Sequence, residues 1–359
     1  MDVETHVIGA GVAGLVLARD LAEKGVSVTV YDKKERPGMP DTASGILSIK
    51  GLDSLGIPYM NAVRNTLYGA RIHAGRAVME IKAKEPQARV LDRPTLNDIC
   101  VDVAEKAGAK LSLGKQIGVD QLNEFSKSGI LVGADGANSL VSKHFGMGSI
   151  EDYVLTYKAK FEFPNDDHSV DLFFDNSVAP GLFAWLCPLS KYEIEAGLGI
   201  GARHGNSRTA FERFMAKYAR NEIGKAKMLE AHASIIPIST RKRIVDEARK
   251  VLLVGDAAGQ VKASTGGGII YGGNAARIAA KAIYACIRKG EPLSNYEREF
   301  YRKFGVDMKL HRLIRLLYSS LSPGMMQMLV GTLARLGVGE ALGKHGDMDS
   351  PSTTLKRLL

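Results

Sequence analysis

Hydrophobic and polar positions at the start of the chain predict a β-α-β unit. The run 5–9 (THVIG) is typical of a buried strand, and a glycine-rich turn follows it. Apolar residues then recur at helical spacing over 15–22, and Gly25 ends the predicted helix. The alternating run 26–32 (VSVTVYD) predicts a second strand. Two strands joined through a helix in this way lie parallel in one sheet.

Further along the chain, the hydrophobic pattern predicts strands without intervening helices, and later it again predicts buried strands followed by helices. Alternation at 66–82 and in short runs over 153–200 predicts strands with no helix between them, and the second region reads as an antiparallel sheet. Short apolar runs predict two more buried strands, at 130–132 and 251–254. Helices are predicted at 93–107, at 207–223, in a long Ala/Ile-rich segment that ends near 289, and through the tail 292–359, with a short helix or loop at 119–128.

These elements predict an α/β protein with two interleaved domains. A Rossmann-like domain is interrupted by an antiparallel-sheet domain and then resumed, and C-terminal helices close the chain. The predicted boundaries are 1–56, 88–150 and 245–290 for the Rossmann-like domain, 57–87 and 151–244 for the antiparallel-sheet domain, and 291–359 for the helical region.

Composition narrows the class of protein. The chain has 359 residues, of which 45% are hydrophobic and 24% charged, which excludes a disordered or collagen-like protein. No apolar run is long enough to span a membrane, and the N-terminus lacks the basic region of a signal peptide. The three cysteines are too scattered for a metal site and cannot all pair. We therefore expect a cytoplasmic protein without a bound metal.

The formal net charge is +9, and the basic excess is concentrated in two stretches, 203–250 and 298–315. Such clusters are compatible with nucleic acid, anionic lipid or phosphorylated substrates, and equally with two solvated faces. Charge alone does not choose among these partners.

A glycine motif follows the first predicted strand. Gly9, Gly11 and Gly14 form a G-x-G-x-x-G pattern between a strand and a helix, and Asp32 ends the next strand. In such a unit the glycines allow a tight turn, close approach of a pyrophosphate and close packing of helix on strand, while the carboxylate accepts hydrogen bonds from a ribose. The motif predicts a dinucleotide and leaves FAD and NAD open.

Two later motifs favour FAD. Residues 133–139 (GADGANS) and 255–260 (GDAAGQ) each follow a predicted strand, and the second leads to a glycine-rich turn, 265–269 (TGGGI), that opens the long helix. Asp256 can bind a ribityl hydroxyl, and the free N–H groups of the turn can face the pyrimidine edge of a flavin. A positive helix end there favours the reduced, anionic flavin.

At this point the sequence resembles the p-hydroxybenzoate hydroxylase-like FAD superfamily and, within it, the geranylgeranyl reductase family of archaeal membrane-lipid type. The stretch 255–269 carries the resemblance most specifically. The segment 180–188 (PGLFAWLCP) is similar to the Pro-x-x-Tyr-x-Trp-x-Phe-Pro element of the reductases. Superfamily hydroxylases usually have a His after Gly-Asp-Ala-Ala, where this chain has Gly259 and Gln260, and the usual β-meander has little room between 114 and 130.

The motifs and the resemblance together imply a set of site residues. The cofactor contacts are Gly9, Gly11, Ala13, Gly14, Asp32, Lys33, Ala43, Gly45, Arg93, Ile117, Asp135, Asp256, Gly268 and Ile269. The substrate residues are Pro180, Phe183, Trp185, Cys187 and Pro188. Many relatives have a cysteine near the flavin where this chain has Thr42, and no residue can be assigned as proton donor.

The resemblance implies reduction of geranylgeranyl chains by hydride transfer from reduced FAD, on glycerophospholipid precursors or geranylgeranyl diphosphate. Two alternatives are a flavin-dependent monooxygenase and a quinone-linked electron-transfer flavoprotein. The electron donor stays open among NAD(P)H, a ferredoxin and a deazaflavin, because a second nucleotide motif is not evident.

The basic stretches then suggest a lipid or protein partner rather than nucleic acid. An apolar stripe beside basic residues is typical of an interfacial helix that contacts an anionic membrane, although packing against the FAD domain explains the same pattern. An acidic redox partner would suit the basic faces equally well. We expect a monomer that is cytoplasmic and peripheral at the inner face of the membrane. The stripe comprises Leu310, Leu313, Ile314, Leu317 and Leu321, beside Lys309, Arg312 and Arg315.

Overall fold

The structure is a computed structural model that describes residues 3–219 and 223–358. Its strands are β1 (Thr5–Ile8), β2 (Val28–Tyr31), β3 (Ile46–Ser48), β4 (Val63–Leu67), β5 (Gly69–Ala74), β6 (Ala77–Lys82), β7 (Ala88–Leu91), β8 (Lys110–Ser112), β9 (Ile130–Gly133), β10 (Tyr153–Glu162), β11 (Ser169–Phe173), β12 (Ala184–Ser190), β13 (Glu193–Gly201), β14 (Lys227–Pro237), β15 (Val245–Asp246) and β16 (Val251–Leu253). Its α-helices are α1 (Val12–Ala22), α2 (Ile49–Leu55), α3 (Arg93–Lys106), α4 (Val119–Ser128), α5 (Leu140–His144), α6 (Ser207–Phe214), α7 (Ile269–Lys289), α8 (Asn295–Ser320), α9 (Pro323–Arg335), α10 (Val338–His345) and α11 (Pro351–Leu358).

The first sheet has six strands in the order β15-β16-β9-β1-β2-β8. Neighbours are parallel except β15, which pairs antiparallel with β16 at the edge. β1 is buried along its whole length, and α1 packs against α7 beside the sheet. The predicted Rossmann-like domain is confirmed, because three separate parts of the chain contribute its parallel strands.

The segment between β8 and β9 is short, as the sequence predicts. Its only regular element is α4, whose residue Leu122 is fully buried against the sheet region. A helix therefore stands where the superfamily usually has a β-meander.

The second sheet has seven strands in the order β14-β10-β13-β12-β11-β5-β6. All neighbours are antiparallel except β11 and β5, which pair parallel from Ser169↔Gly69 to Phe173↔His73. The predicted antiparallel sheet is thus mixed at one junction, because β5 enters from an earlier part of the chain. β4 does not join this sheet and pairs with β7, which also pairs with β3. The interleaving is confirmed, while the domain boundaries given above stay a prediction.

Two helical segments differ in detail from the prediction. The helix expected over 207–223 ends as α6 at Phe214 and continues as a π-helical turn over Met215–Ala219, while 220–222 lie outside the described residues. In the C-terminal region, α9 and α10 pack on β6, and α11 packs on α8. The tail therefore covers one end of the second sheet.

Helix α8 has a polar inner face. Asp307, His311, Arg315 and Tyr318 are buried, and Arg315 bonds Asp152 Oδ2 at 2.8 Å. The expectation that Arg315 belongs to an outward basic face is therefore wrong, because an internal carboxylate holds it. The outward face includes apolar side chains.

Candidate active site

The glycine turn after β1 has the geometry that a dinucleotide requires. Gly9 has φ +110°, and a Cβ there would lie 2.3 Å from the carbonyl oxygen of Ala134. A Cβ on Gly14 would lie 2.1 Å from the carbonyl oxygen of Gly9, so only glycine lets α1 approach β1 this closely. Gly11, which caps α1, faces open space instead. Space at a helix N-terminus is where a pyrophosphate binds.

Asp32 directly follows β2 and lies beside this turn. Its carboxylate accepts hydrogen bonds from the backbone N–H groups of Ala10 at 2.8 Å and Lys34 at 2.9 Å. Both oxygens are held in place and keep lone pairs for further donors such as ribose hydroxyls. The neighbouring Lys33 is exposed.

Arg93 opens α3 and carries unsatisfied donors. Its Nε and Nη1 atoms are buried without a hydrogen-bond partner among the described residues. Burial lowers the pKa of its guanidinium, while the nearby carboxylates of Asp41 and Asp256 oppose that shift. Buried guanidinium donors are normally satisfied. The orphaned donors of Arg93 therefore fit the oxygen atoms of a bound nucleotide.

Asp256 and Gly268 meet at the end of β16. Asp256 lies in a 3₁₀ turn (Gly255–Ala258), and burial raises the pKa of its carboxyl. A Cβ on Gly268 would lie 2.7 Å from Asp256 Oδ1, so glycine is needed where α7 begins. Ile269 is the first residue of α7, and its end offers free backbone N–H groups.

Ala13 and Asp135 are two further predicted cofactor contacts. We call the predicted cofactor contacts together the cradle. A Cβ on Gly255 would lie 3.1 Å from the Ala13 side chain, so these segments touch. Asp135 Oδ2 accepts hydrogen bonds from the N–H groups of Leu140 and Val141, while its Oδ1 is buried without a partner among the described residues. Asp135 thus caps α5 and also presents one free acceptor.

Three further predicted contacts are backbone positions. Gly45 has φ +72°, and a Cβ there would lie 2.3 Å from the carbonyl oxygen of Leu91. Ala43 precedes it in the same loop and is half-buried. The side chain of Ile117 is buried in the core of the first sheet, which leaves only its backbone for a ligand. Together with the orphaned donors of Arg93, these positions fit an FAD molecule.

The predicted substrate segment forms β12 and the turn before it. Trp185 and Cys187 face the same side of the second sheet, and both are buried, as is Phe183. The Trp185 indole lies over Gly197 of β13, where a Cβ would come within 2.2 Å of it. Burial raises the pKa of the Cys187 thiol well above its usual range, so this cysteine is neutral.

The two prolines of the segment fix its ends through their carbonyls. Pro180 O accepts a hydrogen bond from the N–H of Gly201, and Pro188 O accepts one from Asn65 Nδ2 at 2.9 Å. Arg315 Nε also donates to Gly181 O at 2.9 Å. The predicted substrate segment is therefore held by β4, β13 and α8.

A buried lysine that sequence reasoning missed connects the two halves of the site. Lys158 on β10 donates to Ala43 O at 2.5 Å and to Glu195 Oε2 at 2.9 Å. The Trp185 indole N–H donates to Glu195 Oε1 at 3.0 Å. Lys158 and Glu195 thus connect the loop 41–45, which we call the cofactor loop, with Phe183, Trp185 and Cys187, which we call the predicted substrate wall. Charged residues at inward positions of otherwise buried strands were the signal that could have found it.

The C-terminal segment also reaches the cofactor region, which the sequence did not predict. Asp349 Oδ1 bonds Lys262 Nζ at 2.7 Å, and its Oδ2 accepts from Ser48. Its backbone oxygen accepts from Tyr271 at 2.6 Å. His311 lies beside it and bonds Ser264 at 2.6 Å, just before the glycine-rich turn. We name residues 347–350 the C-terminal strap.

Comparison with known proteins identifies the class. A model of an NAD(P)-binding Rossmann-like domain matches residues 7–42, and a model of an FAD binding domain matches residues 126–302. A solved geranylgeranyl bacteriochlorophyll reductase-like protein from Thermoplasma acidophilum has the same fold. Its TM-score is 0.85 at 19% identity, over 99% of this chain and 95% of that one. The fold and the cradle define an FAD-dependent flavoprotein.

Curated relatives define the family. Digeranylgeranylglycerophospholipid reductase 1 of Methanosphaera stadtmanae is 30% identical over 333 residues, which cover 85% of this chain and 80% of the relative. The digeranylgeranylglycerophospholipid reductase of Methanothrix thermoacetophila is 27% identical, over 87% of this chain and 86% of the relative. The chain belongs to the geranylgeranyl reductase family. The family resemblance expected from the sequence is confirmed.

Proposed function

We propose that the protein is an FAD-dependent oxidoreductase that saturates C=C double bonds of geranylgeranyl chains, on glycerophospholipid precursors or geranylgeranyl diphosphate. The observation that carries this proposal is the contact between cofactor loop and substrate wall. Lys158 joins Ala43 to Glu195, and Glu195 holds Trp185. An apolar wall beside the flavin suits a substrate that has few polar atoms to recognise.

The residues of the predicted substrate wall would position the substrate and exclude water from the site. Reduced FAD, when bound, supplies the hydride. Phe183 and Trp185 lie with ring centroids 6.3 Å apart and give the wall aromatic surfaces against which an isoprenoid chain can pack. An isolated double bond is poorly electrophilic, so holding it close to the flavin in a site without water matters more than affinity.

The cofactor and the lipid are tested together by mass spectrometry. The recombinant protein is purified without added ligand, denatured, and its released flavin and lipids are identified. We expect FAD and a prenyl lipid. A protein that neither retains FAD nor binds it on addition would contradict the proposal at its base.

We further propose that α8 lies against an anionic membrane surface. Leu313, Ile314 and Leu317 expose between 41% and 61% of their surface, while Lys309 and Arg312 are exposed beside them. Packing against the FAD domain does not account for such exposure. Basic residues next to apolar ones are typical of interfacial helices. No helix among residues 3–219 and 223–358 is long and apolar enough to cross a bilayer.

A vesicle assay tests this surface. The protein is sedimented with anionic vesicles at low salt, and we expect binding that weakens as salt rises. Replacing Leu313 and Leu317 by Ser should reduce binding, whereas Leu355→Ser, on exposed α11, is the matched control. Equal binding of all three proteins would contradict the role of α8. The same basic surface could instead receive an acidic redox partner, and NAD(P)H, a ferredoxin and a deazaflavin all stay open as donors.

The two alternative activities have less support. Gln260 stands near the position where hydroxylases of the superfamily have a histidine, and both ends of its amide are occupied. Its Oε1 accepts from Gly255 N at 2.8 Å, and its Nε2 donates to Tyr296 at 2.6 Å. A monooxygenase would couple NAD(P)H oxidation to hydroxylation, and a quinone-linked flavoprotein would reduce quinone and leave alkenes unchanged.

A further inference from the structure

A row of charged side chains runs inward from the exposed edge of the second sheet. Glu230 on β14 forms its outer end, with a side chain that is 39% exposed. Lys160 on β10 bonds Glu230 Oε1 at 2.7 Å and Asp41 Oδ2 at 2.8 Å. The row thus leads from solvent to the loop that holds Ala43.

The inner half of the row is almost completely buried. Lys158 Nζ lies 3.4 Å from Asp41 Oδ2 and 2.9 Å from Glu195 Oε2, and the side chains of Lys158 and Glu195 are 3% and 1% exposed. Glu195 ends the row and accepts a hydrogen bond from the indole N–H of Trp185. Acidic and basic groups alternate along the whole row, and the charged atoms of neighbouring groups lie 2.7 to 3.4 Å apart.

Stability alone does not account for this row. Buried ion pairs contribute little net stability compared with apolar residues of similar volume. Moreover, Asp41 Oδ1 is buried without a hydrogen-bond partner among the described residues. A small cavity borders Asp41, Lys160 and Glu195. A network kept for rigidity would be expected to satisfy all its acceptors.

We propose that Glu230, Lys160, Asp41, Lys158 and Glu195 form a proton relay that supplies the proton consumed when the double bond is saturated. The inference rests on the proposed function. Saturation of one C=C bond forms two C–H bonds, one from the hydride with its electron pair and one from a proton. The Glu195 carboxyl releases that proton, and the other four groups pass a replacement inward from water at Glu230.

Groups from several elements act on the pKa of Glu195. Burial raises the pKa of its carboxyl, Asp41 from the cofactor loop reinforces that shift, and Lys158 from β10 and the indole N–H of Trp185 oppose it. Cys187 and Trp185 face it from β12, and that thiol is neutral. Lys160 is the next cation along the row.

The first test needs no catalysis, because Trp185 is the only tryptophan of the chain. Its emission is recorded against pH in the FAD-loaded protein. We expect a spectral transition with a midpoint above the ordinary range of glutamate, lost in Glu195→Gln and kept in Glu162→Gln, an exposed control on β10. A carboxylate that stays ionised over this pH range would give no such transition. The relay is overturned if the Trp185 emission does not change with pH, or if Glu195→Gln shows the same transition as the wild type.

The second test follows oxidation of the dithionite-reduced holoenzyme by geranylgeranyl diphosphate without oxygen, in H₂O and in D₂O. We expect Glu195→Gln to be slower by about 10²-fold and Glu230→Gln by less, with an altered solvent isotope effect in both. Unchanged rates and isotope effects in both variants overturn the relay alone. A wild-type flavin that neither geranylgeranyl diphosphate nor a digeranylgeranylglycerophospholipid oxidises overturns the proposed function as well. If Glu195→Gln no longer binds FAD, the rate and the isotope effect of Glu230→Gln, at the exposed end of the row, are compared with those of the wild type.

Discussion

Replacing Gly197 by alanine tests how the substrate wall is built. The added Cβ would lie 2.2 Å from an indole carbon of Trp185, whereas carbon atoms pack at about 3.5–4.0 Å. The indole must therefore retreat by roughly 1.3 Å or more. Its 3.0 Å hydrogen bond to Glu195 would then stretch or break.

The expected decrease in the free energy of unfolding has two parts, the overpacking around Trp185 and the lost hydrogen bond to Glu195. Overpacking costs about 1–3 kcal/mol, and loss of a hydrogen bond to a charged group costs about 1.5–3 kcal/mol, so we expect a destabilisation of about 2.5–6 kcal/mol. Denaturant unfolding measures the free energy, and the emission of Trp185 measures the displacement. FAD binding should persist, since Gly197 lies outside the cradle, while alkene reduction should fall.

The matched control is Gly324→Ala, where a Cβ meets nothing within 4 Å. That change lies in the first turn of α9 and should be neutral or slightly stabilising. The reasoning about the wall is refuted if Gly197→Ala keeps both the stability and the Trp185 emission of the wild type.

Three other changes have expected outcomes. Arg93→Met should weaken FAD binding by about 10- to 100-fold, since a charged hydrogen bond contributes about 1.5–3 kcal/mol, as measured by titration of the apoprotein with FAD. Asp349→Asn removes the charge opposite Lys262 and should loosen the C-terminal strap, so that limited proteolysis cleaves the tail sooner. Burial and the charge of Lys262 lower the pKa of His311 to about 4. Between pH 6.5 and 4 the unfolded chain therefore binds a proton that the folded protein does not, so the free energy of unfolding decreases as the pH falls through this range. The loss should reach about 3–4 kcal/mol in denaturant unfolding and be largely absent in His311→Asn.

Each of these changes has an exposed counterpart in the chain. Arg36→Met breaks an ion pair with Asp98 at the surface and should leave FAD affinity unchanged. Glu340→Gln and His345→Asn lie near the strap but are exposed, and should alter neither proteolysis nor the pH dependence. Controls that behave like the site variants would contradict the assignments.

The cofactor half of the site could be predicted because its signals are local. Gly14 and Gly268 are needed for close approaches within short motifs, and those approaches leave a fixed spacing in the sequence. Each motif also follows a buried strand that hydrophobic periodicity predicts. The assignment of individual FAD contacts stays a prediction.

The row of charges could not be predicted because it depends on register. Lys160 lies opposite Glu195 only through the pairing of β10 with β13, and Asp41 comes from a distant loop. Hydrophobic alternation predicts which residues share a face but not which strands are neighbours. The parallel pairing of β11 with β5 was missed for the same reason.

The orientation of α8 could not be predicted from the sequence either. Its apolar stripe suggests an inward face, yet the polar residues Asp307, His311 and Arg315 are buried in this part of the helix. Partners far along the chain satisfy them, among them Asp152 for Arg315 and Ser264 for His311. Helical periodicity carries no information about such distant partners, so the polar inner face had no local signal.

The most direct test of the central claim is the product of a single reaction. Dithionite-reduced holoenzyme is mixed anaerobically with a digeranylgeranylglycerophospholipid, and the lipid is analysed by mass spectrometry. The account predicts products that have gained two hydrogens for each saturated double bond, together with oxidation of the flavin. A lipid recovered unchanged from a protein that holds reduced FAD would contradict it.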